Sequence, residues 1–119
     1  MDFSVVSTVE SGHLRLTVQG TLCPLKMFEF IDYVKSASEK ARLNKVLIDC
    51  RAMDGSLSET DRFHGGIRIA EVFGSTLQAA LVMPQGQVTK LGEIAAANRG
   101  AVLLVTESIS EANEWLRSP

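Results

Sequence analysis

The sequence contains only two cysteines, Cys23 and Cys50, among its 119 residues. Two thiols are too few for a disulfide scaffold, so we expect a domain that folds with reduced cysteines in the cytoplasm. A zinc site built from these cysteines with His13 and His64 is not expected, because no two of the four lie two to five residues apart. We predict neither a metal nor another cofactor.

Long hydrophobic runs and clusters of basic residues are also missing. The longest apolar run, residues 101–105, is far shorter than the ~20 residues of a membrane-spanning helix, and no signal-peptide core follows Met1. The chain mixes 12 basic with 14 acidic residues, for a net charge of -2. We therefore expect no transmembrane segment and no nucleic-acid partner. Because no linker or internal repeat divides the sequence, residues 1–119 are predicted to form a single domain.

Recognisable catalytic motifs are absent as well: the sequence has no Gly-x-Ser-x-Gly, Walker or Gly-x-Gly-x-x-Gly pattern. The one local arrangement suited to nucleophilic catalysis places His64 behind Ser56 and Ser58, with Asp61 one turn before it. Mixed polar helices produce such neighbours by chance. An enzyme that uses Ser56 or Cys50 with His64 therefore remains an alternative interpretation.

Alternating apolar and polar residues predict an antiparallel hairpin in the first part of the chain. Residues 3–10 and 13–19 have the pattern of strands on either side of Ser11-Gly12. A two-residue turn at this point sets the register and places the apolar side chains on one sheet face. The predicted pairs are Val9 with Leu14, Ser7 with Leu16 and Val5 with Val18.

Three short apolar strands follow, each leading into an amphipathic helix. We predict these strands at residues 45–50, 78–83 and 101–106. A helix with Pro24 in its first turn precedes them, and Thr89 and Ser108 are predicted to cap the last two helices. This order defines an α/β fold in which an antiparallel hairpin continues into parallel βα units, giving a sheet of five strands.

The helix after the third strand has two candidate starts and an unusual pair of glycines. Ser56 with Glu59 and Ser58 with Asp61 both fit a capping box. Gly65-Gly66 costs about 1 kcal/mol per glycine relative to alanine inside a helix. We therefore expect this helix either to pass close to the sheet or to break in its first turns.

Polar residues follow the strands at positions that we expect to converge, because the carboxyl ends of parallel strands share one edge of a sheet. Two interpretations remain open: a ligand-binding or regulatory site, or an ordinary polar surface. Phosphate on Ser56 or Ser58 would meet the positive end of the following helix, whereas plain helix capping needs no phosphate. The converging residues are Cys23, Asp49, Cys50, Arg51, Asp54, Ser56 and Ser58.

The order of elements resembles the STAS domain, the fold of bacterial anti-sigma-factor antagonists. It is also similar to stand-alone bacterial STAS-like proteins that are grouped with Sec14-like lipid carriers. The resemblance implies a sheet wound steadily in one direction, with helices mainly on one face. It rests on Gly20, Val46-Leu47-Ile48-Asp49, Ala80-Leu81-Val82, Asn98-Arg99-Gly100 and the ending Glu111-Ala112-Asn113-Glu114-Trp115-Leu116.

The resemblance implies a non-enzymatic regulator that binds a protein partner, in particular a kinase-like regulator that phosphorylates a serine after the central strand. The family motif is Asp-Ser-Ser/Thr-Gly-like, and this chain has Asp54-Gly55-Ser56-Leu57-Ser58, with a different order. Ser56 is the nearest equivalent of the modified serine and Ser58 the second. The predicted binding residues are Arg51, Asp54, Ser56, Ser58 and Asp61.

Two further expectations concern other partners. The lipid-carrier comparison implies an apolar cavity, so a carrier or sensor of a small apolar or anionic ligand is an alternative, with Arg51 as a possible anchor. The outer strand of the hairpin, residues 3–9, is an unprotected sheet edge at which two copies of the chain could pair as a homodimer.

Overall fold

The computed structural model describes residues 4–118, so the predicted start of the first strand at Phe3 lies outside the described residues. None of the helices among these residues is long and apolar enough to cross a membrane. The elements in chain order are β1 (Ser4–Glu10), β2 (His13–Thr21), α1 (Pro24–Ala41), β3 (Lys45–Asp54), α2 (Glu59–Phe73), β4 (Gln78–Val82), α3 (Leu91–Ala97), β5 (Val102–Thr106) and α4 (Ile109–Arg117).

The strands form one sheet in the order β1-β2-β3-β4-β5. β1 pairs with β2 in the antiparallel direction and the other neighbours are parallel, as predicted. The hairpin has the predicted register, with Val9 opposite Leu14 and Val5 opposite Val18. Gly12 closes the turn with φ 82°, a left-handed conformation that glycine adopts without steric cost.

The steady strand order explains how the helices are distributed. Crossovers between parallel strands are right-handed, so a sheet that grows in one direction places its crossover helices on one face. That inner face packs against apolar side chains of α1, α2 and α3, among them Val34, Phe73 and Ala96. α4 follows the last strand and packs on the opposite, outer face, where Ala112 and Leu116 cover Leu47, Ala80 and Val82.

The third strand is longer than predicted: it continues beyond Cys50 to Asp54, which lies opposite Thr21 at the end of β2. A β-bulge interrupts the pairing, since the two steps of β2 from Thr17 to Gln19 oppose three steps of β3 from Asp49 to Ala52. The sequence did not indicate this extension. The outer face of the extension is not covered by a helix, so polar residues replace the apolar run that marks a buried strand.

The second of the two predicted caps starts α2. Ser58 Oγ accepts a hydrogen bond from the Asp61 N–H at 3.1 Å, and the Asp61 carboxylate accepts one from the Ser58 N–H at 3.4 Å. The predicted cap of α3 was wrong. Lys90 rather than Thr89 precedes that helix, in a left-handed conformation with φ 66° and without a side-chain capping bond.

The glycine pair of α2 marks a close approach, but to other helices and not to the sheet. The helix is unbroken from Glu59 to Phe73. A Cβ atom on Gly66 would lie 2.2 Å from the Gly92 carbonyl oxygen in α3, and one on Gly65 would lie 2.9 Å from the Met27 sulfur in α1. The expectation that the glycine pair marks a contact with the sheet or a break was therefore wrong, because its near neighbours are α1 and α3.

Candidate functional site

The connection from β3 into α2, residues 54–61, is called the rim below. Its backbone is held by contacts from neighbouring segments. The Leu22 N–H donates to the Asp54 carbonyl at 2.9 Å, and Gln87 Nε2 donates to the Gly55 carbonyl at 3.2 Å. These bonds join the rim to the connection between β2 and α1 and to the segment before α3. The conformation of the rim is therefore fixed by contacts with the rest of the fold.

A single arginine at the start of α2 adds the third anchor. Arg62 Nε donates to the Leu57 carbonyl at 3.1 Å, and its Nη2 donates to Gln87 Oε1 at 2.9 Å. Its Nη1 also donates to the Gln87 carbonyl oxygen. The guanidinium therefore links the rim to the segment before α3, and its nitrogen atoms are engaged in these bonds.

The rim exposes its polar side chains to solvent. Asp54, Ser56, Ser58 and Glu59 are exposed, and Asp61 is half-buried. The rim carries three acidic residues and no Lys or Arg. Its surface is therefore acidic, and a basic partner would be attracted to it.

The two candidate serines of the rim differ in their bonding. Ser58 Oγ is engaged by the capping bond from the Asp61 N–H. Ser56 makes no side-chain hydrogen bond to any other residue of the described range 4–118 and is exposed. Its hydroxyl is therefore available for a new bond or for modification without loss of the cap.

A second polar cluster, formed by Arg15, Asp49 and Arg51, lies on the outer sheet face. The Asp49 carboxylate accepts bonds from Arg51 Nε at 2.9 Å, Arg51 Nη2 at 2.8 Å and Arg15 Nη2 at 3.1 Å. It also accepts the Arg51 backbone N–H at 3.1 Å, beside the bulge. A bulge leaves one residue outside the regular hydrogen-bond ladder between the strands. The Asp49 carboxylate therefore supplies a hydrogen-bond acceptor where the strand pairing is interrupted.

The arginines set the ionisation of this carboxyl group. Hydrogen bonds from Arg51 lower the pKa of Asp49 from its usual 3.8, with further lowering by the charges of Arg51 and Arg15, and burial opposes them. The same ion pair raises the pKa of Arg51. Asp49 is therefore a buried anion held between two cations, 4% exposed.

The predicted convergence of seven polar residues on one rim is only partly correct. Asp49 and Cys50 do not end the third strand, since Asp49, Cys50 and Arg51 all lie within it. Asp49 and Arg51 line the outer face, whereas Cys50 belongs to the core of the inner face. Asp54, Ser56 and Ser58 lie in the rim, and Cys23 follows Leu22, whose N–H bonds to the Asp54 carbonyl.

An apolar cavity of about 120 Å³ lies between the inner sheet face and the three helices on it. Cys23 and Cys50 both line this cavity as free thiols. Burial raises the pKa of Cys50 to about 12, and the Asp49 charge adds to the effect. The thiol therefore stays protonated at neutral pH. Further residues of the lining are Met27, Met53, Ile69, Met83 and Leu103.

The residues of the enzyme alternative are not assembled into a catalytic arrangement. Within residues 4–118, no hydrogen bond joins His64 to Ser56, Ser58 or Cys50; His64 is exposed, and its ring instead contacts Phe63 edge-on, with 5.7 Å between centroids. The same described range contains no group of three His, Cys, Asp or Glu side chains that could hold a metal ion.

Three residues of these clusters were missed by the sequence reasoning. Arg15 had a detectable signal, since the hairpin alternation places it on the polar face, next to the strand that carries Asp49. Arg62 and Gln87 had none, because they bond to each other and to backbone carbonyl groups in segments that come together only in the folded chain.

No protein-family model matches the sequence, and no curated protein does so at a significant level. The fold is similar to the crystal structure of an anti-sigma factor antagonist from Mycobacterium paratuberculosis, with a TM-score of 0.64. The match covers 98% of this chain and 95% of that chain, at 13% sequence identity. The chain therefore has a STAS-like fold, as the order of its elements predicted.

Proposed function

We propose that this protein is a non-enzymatic regulatory module that binds a protein partner through the rim. The observation that carries the proposal is the contrast between the rim's anchored backbone and its exposed side chains. Because the Asp54, Gly55 and Leu57 carbonyl groups are held by bonds from other segments, docking there would cost little ordering entropy. The likeness to an anti-sigma factor antagonist supports the same role.

The charge of the rim suggests the chemistry of the partner. Asp54, Glu59 and Asp61 present carboxylates without a Lys or Arg in the same segment. Electrostatic complementarity favours a partner whose docking face is basic. A cytoplasmic location belongs to the same proposal and agrees with the two free thiols.

Site-specific cross-linking in the native cells tests the docking surface. A photoreactive residue at Ser56 is expected to capture one partner, whereas the same group at Ser75 is the matched control. Ser75 is also exposed and lies between the end of α2 and the start of β4, at the opposite end of the strands. Equal capture at both positions, or none at Ser56, would contradict the proposal.

Within this proposal, the partner is a kinase-like regulator and Ser56 is the residue that it phosphorylates. The Ser56 hydroxyl is exposed and unused, while Ser58 is committed to the helix cap. Phosphate would add about 1.5 to 2 negative charges two residues before the cap of α2. Added to the acidic side chains of the rim, this charge would change which surfaces can dock.

Phosphopeptide mapping of the protein from its native cells tests this modification. We expect phosphate on Ser56 and none on Ser75, and loss of the modified peptide in Ser56→Ala. A rim peptide that is unmodified under all growth conditions would contradict the kinase proposal, while cross-linking would still judge the docking surface separately.

The apolar cavity supports a second candidate, the binding of a small apolar ligand. Apolar cavities of about 150 Å³ are known to bind benzene-sized molecules, and the cavity here, at about 120 Å³, is of similar size. Met27, Met53 and Met83 line it, and methionine side chains adapt readily to the shape of an occupant. The size restricts the ligand to a few heavy atoms or to the end of a longer chain.

Benzene titration followed by methyl NMR, with native mass spectrometry for co-purified mass, tests this candidate. Signals of Ile69 and Leu103, which line the cavity, are expected to shift, and Ile69→Phe is expected to abolish binding by filling the space. Ile109→Phe is the matched control, because Ile109 packs on the outer face. Unchanged lining signals at saturating benzene would contradict ligand binding.

A further inference from the structure

The two edges of the sheet are treated differently by the fold. β5 forms one edge, and side chains at the start of α3 bond its backbone there. Glu93 Oε1 accepts the Val105 N–H at 3.0 Å, and Lys90 Nζ donates to the Val105 carbonyl. These contacts occupy backbone groups that another strand would need for pairing.

β1 forms the opposite edge, and within residues 4–118 no side chain bonds its backbone in this way. Six of its seven residues are exposed, and its one substantial neighbour in the described part of the chain is β2. Val6 is 62% exposed and Val9 is 70% exposed. Proteins usually guard an edge strand with lysine, proline or a bulge, yet residues 4–10 contain none of these; the only charge is Glu10, at the end.

The edge of β1 is complementary to itself. Residues directly opposite across two strands share a sheet face, so an antiparallel pair of β1 strands about a two-fold axis at Ser7 keeps both faces in register. Val5 would then lie opposite the partner subunit's Val9, and Val6 opposite the partner subunit's Thr8. Glu10 would face the partner subunit's Ser4, so no like charges meet.

We propose that a second copy of this chain pairs along β1, in antiparallel direction, with Ser7 opposite the partner subunit's Ser7. The pairing satisfies the outward backbone groups of both strands and covers Val6 and Val9 in each subunit. It joins the two sheets into one. Because the strands of the two subunits run in opposite directions, the two rims lie at opposite ends of the joined sheet and both stay accessible.

Sedimentation or light scattering across a concentration series tests the association. The expected mass is twice that of the 12.9 kDa chain, and Val6→Lys is expected to abolish the dimer. Val102→Lys is the matched control, because Val102 is an exposed valine on the other edge strand, at 39%. A wild-type monomer at millimolar concentration, or dissociation by Val102→Lys and not by Val6→Lys, would overturn the proposal.

Disulfide trapping tests the register and does not depend on the lysine variants folding. Opposite residues of antiparallel strands have Cα atoms about 4.5 to 5.5 Å apart, within the range that a disulfide spans. Ser7→Cys is therefore expected to cross-link into a dimer under mild oxidation, whereas Ser4→Cys is not, since it meets the partner subunit's Glu10. Cross-linking of Ser4→Cys as fast as Ser7→Cys, or of neither, would overturn the proposed pairing.

Discussion

At the level of single residues, Asp49 links sequence, strand geometry and charge. It is a carboxylate in the middle of the central strand, and two arginines and a backbone N–H beside the bulge meet on it. Removing this carboxylate charge should destabilise the fold, because Asp49 is buried and both arginines and a backbone N–H would lose a charged acceptor. We therefore expect Asp49 to hold the bulged end of β3 in place.

The lowered pKa of Asp49 predicts how stability depends on pH. A carboxyl group whose pKa is lower in the folded state stabilises the fold above its unfolded pKa, and the stabilisation is lost as pH falls through the folded value. The free energy of unfolding should thus decrease below about pH 4, near the usual value of 3.8. Urea unfolding at pH 7, 4 and 3 measures this.

Asp49→Asn is the variant that isolates this contribution. It should lower the free energy of unfolding at pH 7 by about 1 to 3 kcal/mol and flatten the decrease at acid pH. Asp32→Asn is the control, because Asp32 pairs with Arg68 in an exposed ion pair, which contributes little. An acid profile of Asp49→Asn as steep as that of the wild type would contradict the assigned role.

The serines of the rim give a second prediction for single residues. Ser58→Ala removes the capping oxygen of α2 and should lower the free energy of unfolding by about 1 kcal/mol. Ser56→Ala removes a hydroxyl without a partner and should change it by less than about 0.5 kcal/mol. Chemical denaturation of both variants measures the difference, and equal losses would show that the two hydroxyls do not have distinct roles.

At the level of elements, the hairpin was predictable, whereas the bulged end of the central strand was not. The alternation around Ser11-Gly12 admits one register that places the apolar side chains on one face, and β1 and β2 adopt it. The bulge near Arg51 has no signature in the residue types. The bulge changes which side chains of β3 point to each sheet face. Where polar residues can follow it depends on which face lacks a covering helix, and this is set by the topology of the whole fold.

The contact at the glycines of α2 was also only partly predictable from the sequence. Their cost inside a helix indicates a close neighbour, but a local pattern does not identify which element it is. Gly66 faces the backbone of Gly92, which cannot move aside, whereas Gly65 faces the end of the flexible Met27 side chain. The two positions therefore tolerate a methyl group differently.

Alanine substitutions at these glycines test the contact between α2 and α3. Gly66→Ala should lower the free energy of unfolding by about 1 to 3 kcal/mol, because the helices must separate. Gly65→Ala is the matched variant and should cost less, since Met27 can rotate while alanine favours the helix. Thermal and urea unfolding measure both, and a Gly66→Ala variant as stable as the wild type would contradict the packing described.

At the level of the whole molecule, the fold separates three surfaces. The inner face carries the core and the cavity under α1, α2 and α3. The outer face carries α4 and the arginine–aspartate cluster. The rim lies at the end of β3, which extends further than its neighbour β4, whose pairing with β3 ends at Asp49. Docking at the rim leaves the edge of β1 undisturbed, whereas the cavity lies directly behind the rim, since Leu57 lines it.

The sequence predicted the position of the rim but not what holds it or what lies behind it. Ser58 follows from the start of α2, which the capping pattern specifies, whereas the end of β3 at Asp54 was not predicted. The anchoring by Arg62 and Gln87 depends on segments that meet only after folding. The cavity depends on how three helices fit one sheet face, and apolar residue types alone do not report unfilled space between them.

The most direct test of the central claim is the affinity with which the partner captured by cross-linking at Ser56 binds variants that lack carboxylates of the rim. Asp54→Asn with Glu59→Gln removes two exposed carboxylates of the rim without altering its shape. The control, Glu39→Gln with Glu114→Gln, removes two exposed carboxylates elsewhere. The account predicts at least roughly tenfold weaker binding for the rim variant, or about 1.4 kcal/mol, and unchanged binding for the control. Equal affinity of the rim variant and the wild type would contradict it.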